Sequence, residues 1–195
     1  MPIIPANSVK IIKIANKVSI PHPTSSGQLA AGEREDAQVS RLLTWLSATA
    51  IGFLIGIGAK AWFAGHSTHA WVLWSFIGLI ALNMLYFAST GNRARQKAGM
   101  IVIVGLLFTY LIASGGESNT GPLWFYVFPP LLFYLTDLKT GTAVLLFCYL
   151  VAVVVFQFPG LPLVSAEYSM DFKIRFFAAL TFESIFCFVL EASRL

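Results

Sequence analysis

The chain has 195 residues, 57% of them hydrophobic and only 11% charged, with a formal net charge of +4. Soluble domains carry about 25% charged residues, so this balance, with a mean hydropathy of +0.75, excludes an ordinary soluble domain and points to an all-α integral membrane protein. The net charge is no nucleic-acid signal, because the basic residues cluster beside apolar runs, where they encode membrane topology.

Residues 1–38 read as a soluble cytoplasmic tail with Pro2, Pro5, Pro21 and Pro23. Within it, residues 8–20 carry Lys10, Lys13 and Lys17 among apolar residues at near-helical spacing. Two readings stand: an amphipathic helix on the membrane surface or a disordered basic tail. No long apolar run precedes a small-residue cleavage site, so it is not a secretory signal. Glu33-Arg34-Glu35-Asp36 reads as a solvated helix start ahead of the second region, residues 39–195.

Six apolar segments follow, at residues 42–63, 71–88, 99–113, 122–135, 141–158 and 172–190. Their continuity suits helices rather than barrel strands, and the expectation is a six-transmembrane-helix bundle. A span needs about 20 residues; the third segment is therefore short, and the fourth is short and broken by Pro129 and Pro130. Gly52 and Gly56 in the first permit close helix packing. Cys148 and Cys187 lie inside apolar runs and read as small hydrophobes rather than a disulfide or metal pair.

Short connections make sequential antiparallel helices. Of the 13 Lys and Arg, ten fall on the tail, the second–third and fourth–fifth connections and the C-terminus. Lys60, Lys173 and Arg175 alone fall near the opposite ends of spans. The positive-inside rule then places both termini on the cytoplasmic side. The connections at 64–70, 114–121 and 159–171 face outward.

The chemistry-bearing residues gather at those outer connections. His66 and His69 form a weak metal candidate, set against a solvated polar turn. Trp62, Trp71, Trp74, Trp124, Tyr126 and Tyr168 read as an interface belt, or, for Trp124 and Tyr126, as the lining of a ligand pocket. Glu183 lies about 18 Å beyond Asp171 at the helical rise, too deep to reach water, so it faces the bundle interior. It reads either as part of an internal polar site with Arg175 or as a structural hydrogen-bonding group. No phosphate-binding glycine loop, HExxH or Gly-x-Ser-x-Gly occurs, so no catalytic residue and no cofactor is expected.

The most distinctive stretch runs from Ser114 to Pro130. Gly115, Gly116 and Gly121 mark a turn that carries Glu117, Asn119 and Thr120, then enters Pro122-Leu123-Trp124 and Phe128-Pro129. Pro122 suits the first turn of a helix, which puts Asn119–Gly121 at its mouth, where free N–H groups could hold an anion. This stretch, a helix start at Gly141, and the Phe172-Lys173-Ile174-Arg175-Phe176 and Phe182-Glu183 strings resemble the N-terminal multi-span membrane input domain of bacterial GGDEF diguanylate cyclases and sensor kinases. The resemblance covers about residues 40–195. It implies a membrane-embedded sensory module, working as a homodimer, that passes an outer-side or intramembrane signal through its last helix to a cytoplasmic output domain. No Gly-Gly-Asp-Glu-Phe string is present, so that output, a cyclase or kinase, is expected outside these residues. The implied site is Glu117, Asn119, Thr120, Trp124, Tyr126, Arg175 and Glu183, open to an unknown small ligand. The partners expected are the bilayer and a second copy, with no nucleic acid. The alternative is a small transporter or channel-like protein using the broken fourth segment and Glu183.

Overall fold

The computed structural model describes residues 25–158 and 164–193, with side chains from residue 37 onward except that of Glu117. The surface-helix-or-disorder question for residues 8–20 lies outside them. Among the described residues six α-helices run in chain order: α1 Ser25–Phe63, α2 Ser67–Thr90, α3 Arg93–Ser114, α4 Phe128–Leu135, α5 Leu138–Gln157 and α6 Met170–Ala192. A 3-10 turn at Glu117–Asn119 and a 3-10 helix at Gly121–Val127 stand between α3 and α4. No strand occurs among the described residues. The protein is an all-α membrane protein: α2, α3, α5 and the Ala37–Phe63 part of α1 are each long and apolar enough to cross a bilayer. α6 is 23 residues long but carries Asp171, Lys173, Arg175 and Glu183 along its length.

The chain divides at Arg41 into two compact units. In the first, helix begins at Ser25, so the end of the segment read as tail is already helical. The second unit, from Leu42 on, holds the bundle. Its centre is α3, which packs against α2, the 3-10 helix, α4 and α5. Half of the apolar window of α3 is buried, against 22% for those of α1 and α5. The centre of the core is aromatic. Phe125 and Phe128 have rings 5.6 Å apart and both meet Phe108 at 6.1 Å. Phe125 also meets Phe176 of α6 edge-on, and edge and tilted arrangements of this kind suit the ring quadrupoles.

Local chemistry sets the helix ends. Asn92 accepts from Arg95 N–H, Asp137 from Thr140 N–H and Ser169 from Phe172 N–H, so α3, α5 and α6 each start on a capping side chain. Gly91 ends α2 at φ 63° and Gly115 ends α3 at φ 79°, the left-handed cap that glycine adopts without a Cβ clash. At the far end of α5, Lys173 donates from Nζ to the Phe156 carbonyl at 2.6 Å, placing a cation on the negative end of the helix.

The fourth segment is short and changes helix type just before its proline pair, and its prolines stand at the starts of the two helices. Pro122 sits in the first turn of the 3-10 helix, and Pro129 follows Phe128 at the start of α4. At such positions the missing N–H has no intrahelical partner to lose. The 3-10 rise of about 2.0 Å per residue is longer than the α-helical 1.5 Å. Two successive helices thus reach further than their residue count suggests.

Candidate functional site

The connections at 64–66, 115–120 and 164–169 meet at one end of the bundle. The Ser165 and Ala166 N–H groups both donate to the Ala113 carbonyl, at 2.9 and 3.1 Å. Tyr168 donates its hydroxyl to the Ile112 carbonyl at 2.7 Å. The last carbonyls of α3, which no intrahelical partner reaches, are thereby satisfied by the segment leading into α6. Burial pushes the Tyr168 phenol well above its ordinary range.

The glycine turn is a close-packed knot rather than a loose entry. Gly115, Gly116, Ser118 and Asn119 all have positive φ, a conformation uncommon for the two non-glycine members. Gly121 donates to the Gly115 carbonyl at 2.8 Å, and a Cβ on Gly121 would run into the Leu111 carbonyl oxygen. The Asn119 amide reaches the Glu167 carbonyl at 3.5 Å. The N–H groups expected to hold an anion at the start of the fourth segment are partly spent inside this knot: Gly121 on Gly115, and Leu123 on the Thr120 carbonyl at 3.0 Å.

Two adjoining chambers open beside the knot. The first is a polar vestibule of about 720 Å³, lined by Lys60, His66, Ser67, Thr68, Ser114 and Ser118 among others. The second is an apolar cleft of about 410 Å³ between α1, α2, α3 and the 3-10 helix, lined by residues including Phe53, Leu73, Leu107, Thr120 and Trp124. Ile57, His69 and Gly116 line both and so stand at the boundary between them. His69 is fixed there: its Nδ1 lies 2.6 Å from the Tyr110 hydroxyl, and the two rings stack at 5.4 Å. Trp124 meets Phe53 of α1 edge-on at 5.9 Å, forming part of the cleft wall.

The predicted site residues therefore separate. Thr120 and Trp124 line the cleft, and Asn119 lies in the knot beside it. Tyr126 turns the other way and donates to the Phe176 carbonyl of α6 at 3.2 Å, where Glu183 is an electrostatic neighbour. Arg175 is exposed on α6; neither it nor Glu183 lines the vestibule or the cleft. The anticipated cavity between Trp124 and the last helix is instead on the α1 side. Side-chain contacts of Glu117 lie outside the described residues. His66 and His69 both line the vestibule, but no group of three or more His, Cys, Asp or Glu side chains that could hold a metal occurs among the described residues. The aromatic set divides as well: Trp62, Trp71 and Trp74 pack on one another, while Trp124, Tyr126 and Tyr168 make the specific contacts above.

Sequence reasoning missed Tyr110 and the wall residues of α1. Tyr110 sits four residues before Ser114 in a run that reads as plain span, and its hydrogen bond and stacking with His69 mark it. No protein-family model, curated protein or solved structure matches the chain.

Proposed function

We propose that this chain is a sensory input module of a bacterial inner membrane, in which a ligand in the two-chamber site shifts the last helix. The observation that carries this reading is the position of the 3-10 helix Gly121–Val127. One side of it, through Trp124 and Val127, lines the apolar cleft. The other, through Phe125 and Tyr126, is packed and hydrogen bonded to Phe176 of α6. A side chain displaced in the cleft thus acts on the element that holds α6. The 3-10 form suits this role, because its hydrogen-bond geometry is poorer than that of an α-helix and such stretches often mark hinges.

In this reading the six helical segments all cross the membrane, with Gly121–Leu135 as the fourth and both termini cytoplasmic. The site then faces outward, and α6 leads toward a cytoplasmic output such as a diguanylate cyclase or kinase, within a homodimer. A ligand can shift α6 only by its difference in affinity for two states.

Amide hydrogen exchange on the purified chain in nanodiscs tests the coupling. Trp124→Ala should raise exchange in α6 around Phe176–Leu180 and leave the middle of α5 unchanged. Protection lost only in the 3-10 helix itself, with α6 as in the wild type, would count against the reading. Ligand-independent solute or proton flux through liposomes holding only this chain would favour a transporter instead.

A further inference from the structure

The apolar cleft is a slot rather than a bowl. It is lined on α1 from Leu46 to Ile57 and on α3 from Met100 to Leu111, which is about 16 Å along each helix at the rise of about 1.5 Å per residue. A volume of about 410 Å³ over that length leaves a mean cross-section of about 25 Å². The residues of α1, α2 and α3 that line it all lie in segments long and apolar enough to cross a bilayer. The inner wall is buried, at Val104, Leu107 and Leu111 of α3. The outer rim is not. Phe53 of α1 and Trp124 of the 3-10 helix meet edge-on at 5.9 Å, and both, with Val127, line the slot while standing exposed on the surface. A shallower groove over Gly52 and Gly56 of α1 shares Thr49, Phe53 and Ile57 with the slot. A Cβ on either glycine would meet nothing within 4 Å, so no described residue covers that surface. The slot is thus continuous with the bilayer-facing side of α1.

We propose that the slot takes one acyl chain of a bilayer phospholipid, entering beside the Phe53–Trp124 contact and lying along α3. Width selects the occupant. A saturated chain at carbon–carbon contacts of about 4 Å fills on the order of 20 Å², so one fits and two do not. A helix of a second copy, about 10–12 Å across, is too wide to enter. An extended peptide would bring an N–H and a C=O at every residue, and the described wall offers only Thr49, His69, Thr120 and Trp124 as polar side chains, so most of those groups would stay unpaired. Left empty, the wall forfeits dispersion contacts. A chain drawn from the adjoining bilayer supplies them with no polar group to desolvate. It would lie against Trp124 and Val127, on the 3-10 helix that grips α6. This assignment names a ligand for the cleft and rests on the sensory reading for the consequence of occupancy, though not for occupancy itself.

Photo-crosslinking of the purified full chain in phosphatidylethanolamine nanodiscs tests it. The probe is the same lipid with a diazirine midway along one acyl chain, and adducts are mapped by mass spectrometry. Val104, Leu107 or Leu111 should carry adducts in a yield similar to that of Leu106, which is exposed on α3 and reports lipid on the outer surface. Ala50→Phe, which fills the slot from α1, should cut the inner-wall adducts at least fivefold and leave Leu106 unchanged. Val104→Trp, which fills it from α3, should do the same at Leu107 and Leu111, so the test does not hang on one variant's folding. Adducts at Leu106 without any on the inner wall overturn the proposal, as do inner-wall adducts that both filling variants leave unchanged. Loss of the inner-wall adducts when dodecanol replaces a tenth of the lipid assigns the slot to a free single-chain amphiphile and overturns the phospholipid. Inner-wall labelling with amide exchange around Phe176–Leu180 unaltered by Ala50→Phe would leave this inference standing and remove the sensory reading. An exchange response of α6 to Trp124→Ala without inner-wall labelling would do the reverse.

Discussion

Gly121 is where a single methyl group should do most damage. A Cβ there would overlap the Leu111 carbonyl oxygen and lie 2.9 Å from the carbonyl carbon and oxygen of Gly115. All three atoms are backbone, so no rotamer change relieves the clash. Overpacking of this kind costs about 1–3 kcal/mol. Displacing the 3-10 helix also stretches the Gly121–Gly115 hydrogen bond, worth about 1 kcal/mol. Gly121→Ala should therefore lose about 2–4 kcal/mol. For a chain of this size that is a fall in Tm of about 4–16 °C, read by thermal unfolding of the purified protein in one detergent. Gly78→Ala is the matched control: it lies in α2, where an added Cβ meets nothing within 4 Å. There the change should be neutral or stabilising by up to about 1 kcal/mol. Equal Tm values for the two variants would refute the reasoning that the knot is closed by backbone-on-backbone contact.

Two further outcomes follow from the helix ends. The Asp137 carboxylate is held below its ordinary range by N–H donation from Thr140. A depressed folded-state value means its stabilisation is present at neutral pH and lost as pH falls through that value. Asp137→Asn keeps a capping oxygen but cannot titrate, so its unfolding should show a flatter acid limb than the wild type below the usual aspartate range. Lys173→Met removes the charged donor to Phe156 and leaves that carbonyl without it, at a cost of about 1–3 kcal/mol. Lys173→Arg should restore most of the loss in the same thermal assay.

The hydrophobic pattern placed the helices well because each apolar run is long enough to demand internal hydrogen bonding of its backbone. Their ends were less legible. Asn92, Asp137 and Ser169 are ordinary capping residues in suitable places, and could have been read as such; the apolar runs drew the boundaries several residues inward. Pro129 and Pro130 look like breakers in a list of residues, yet following a 3-10 helix they become initiators. For the site, Thr120 and Trp124 were legible because a glycine turn beside an aromatic run is unusual. The partition between Trp124 and Tyr126 was not: two residues apart, they point to different sides in either helix type, and only the packing shows which neighbour each side meets. The vestibule was half visible in His66 and His69. Its other half depends on the packing of Tyr110 and Lys60, which spacing along the chain does not encode.

The coupling between cleft and last helix is tested most directly by a distance measurement. With Cys148 and Cys187 replaced, spin labels at Arg93→Cys on α3 and Ser193→Cys after α6 report the separation of the two helices at the end opposite the vestibule. Trp124→Ala, which removes part of the cleft wall, should change that distance distribution relative to the wild type. Adding Tyr126→Phe, which deletes the hydrogen bond to Phe176, should reduce the change. An identical distribution in the wild type and in Trp124→Ala would contradict the account.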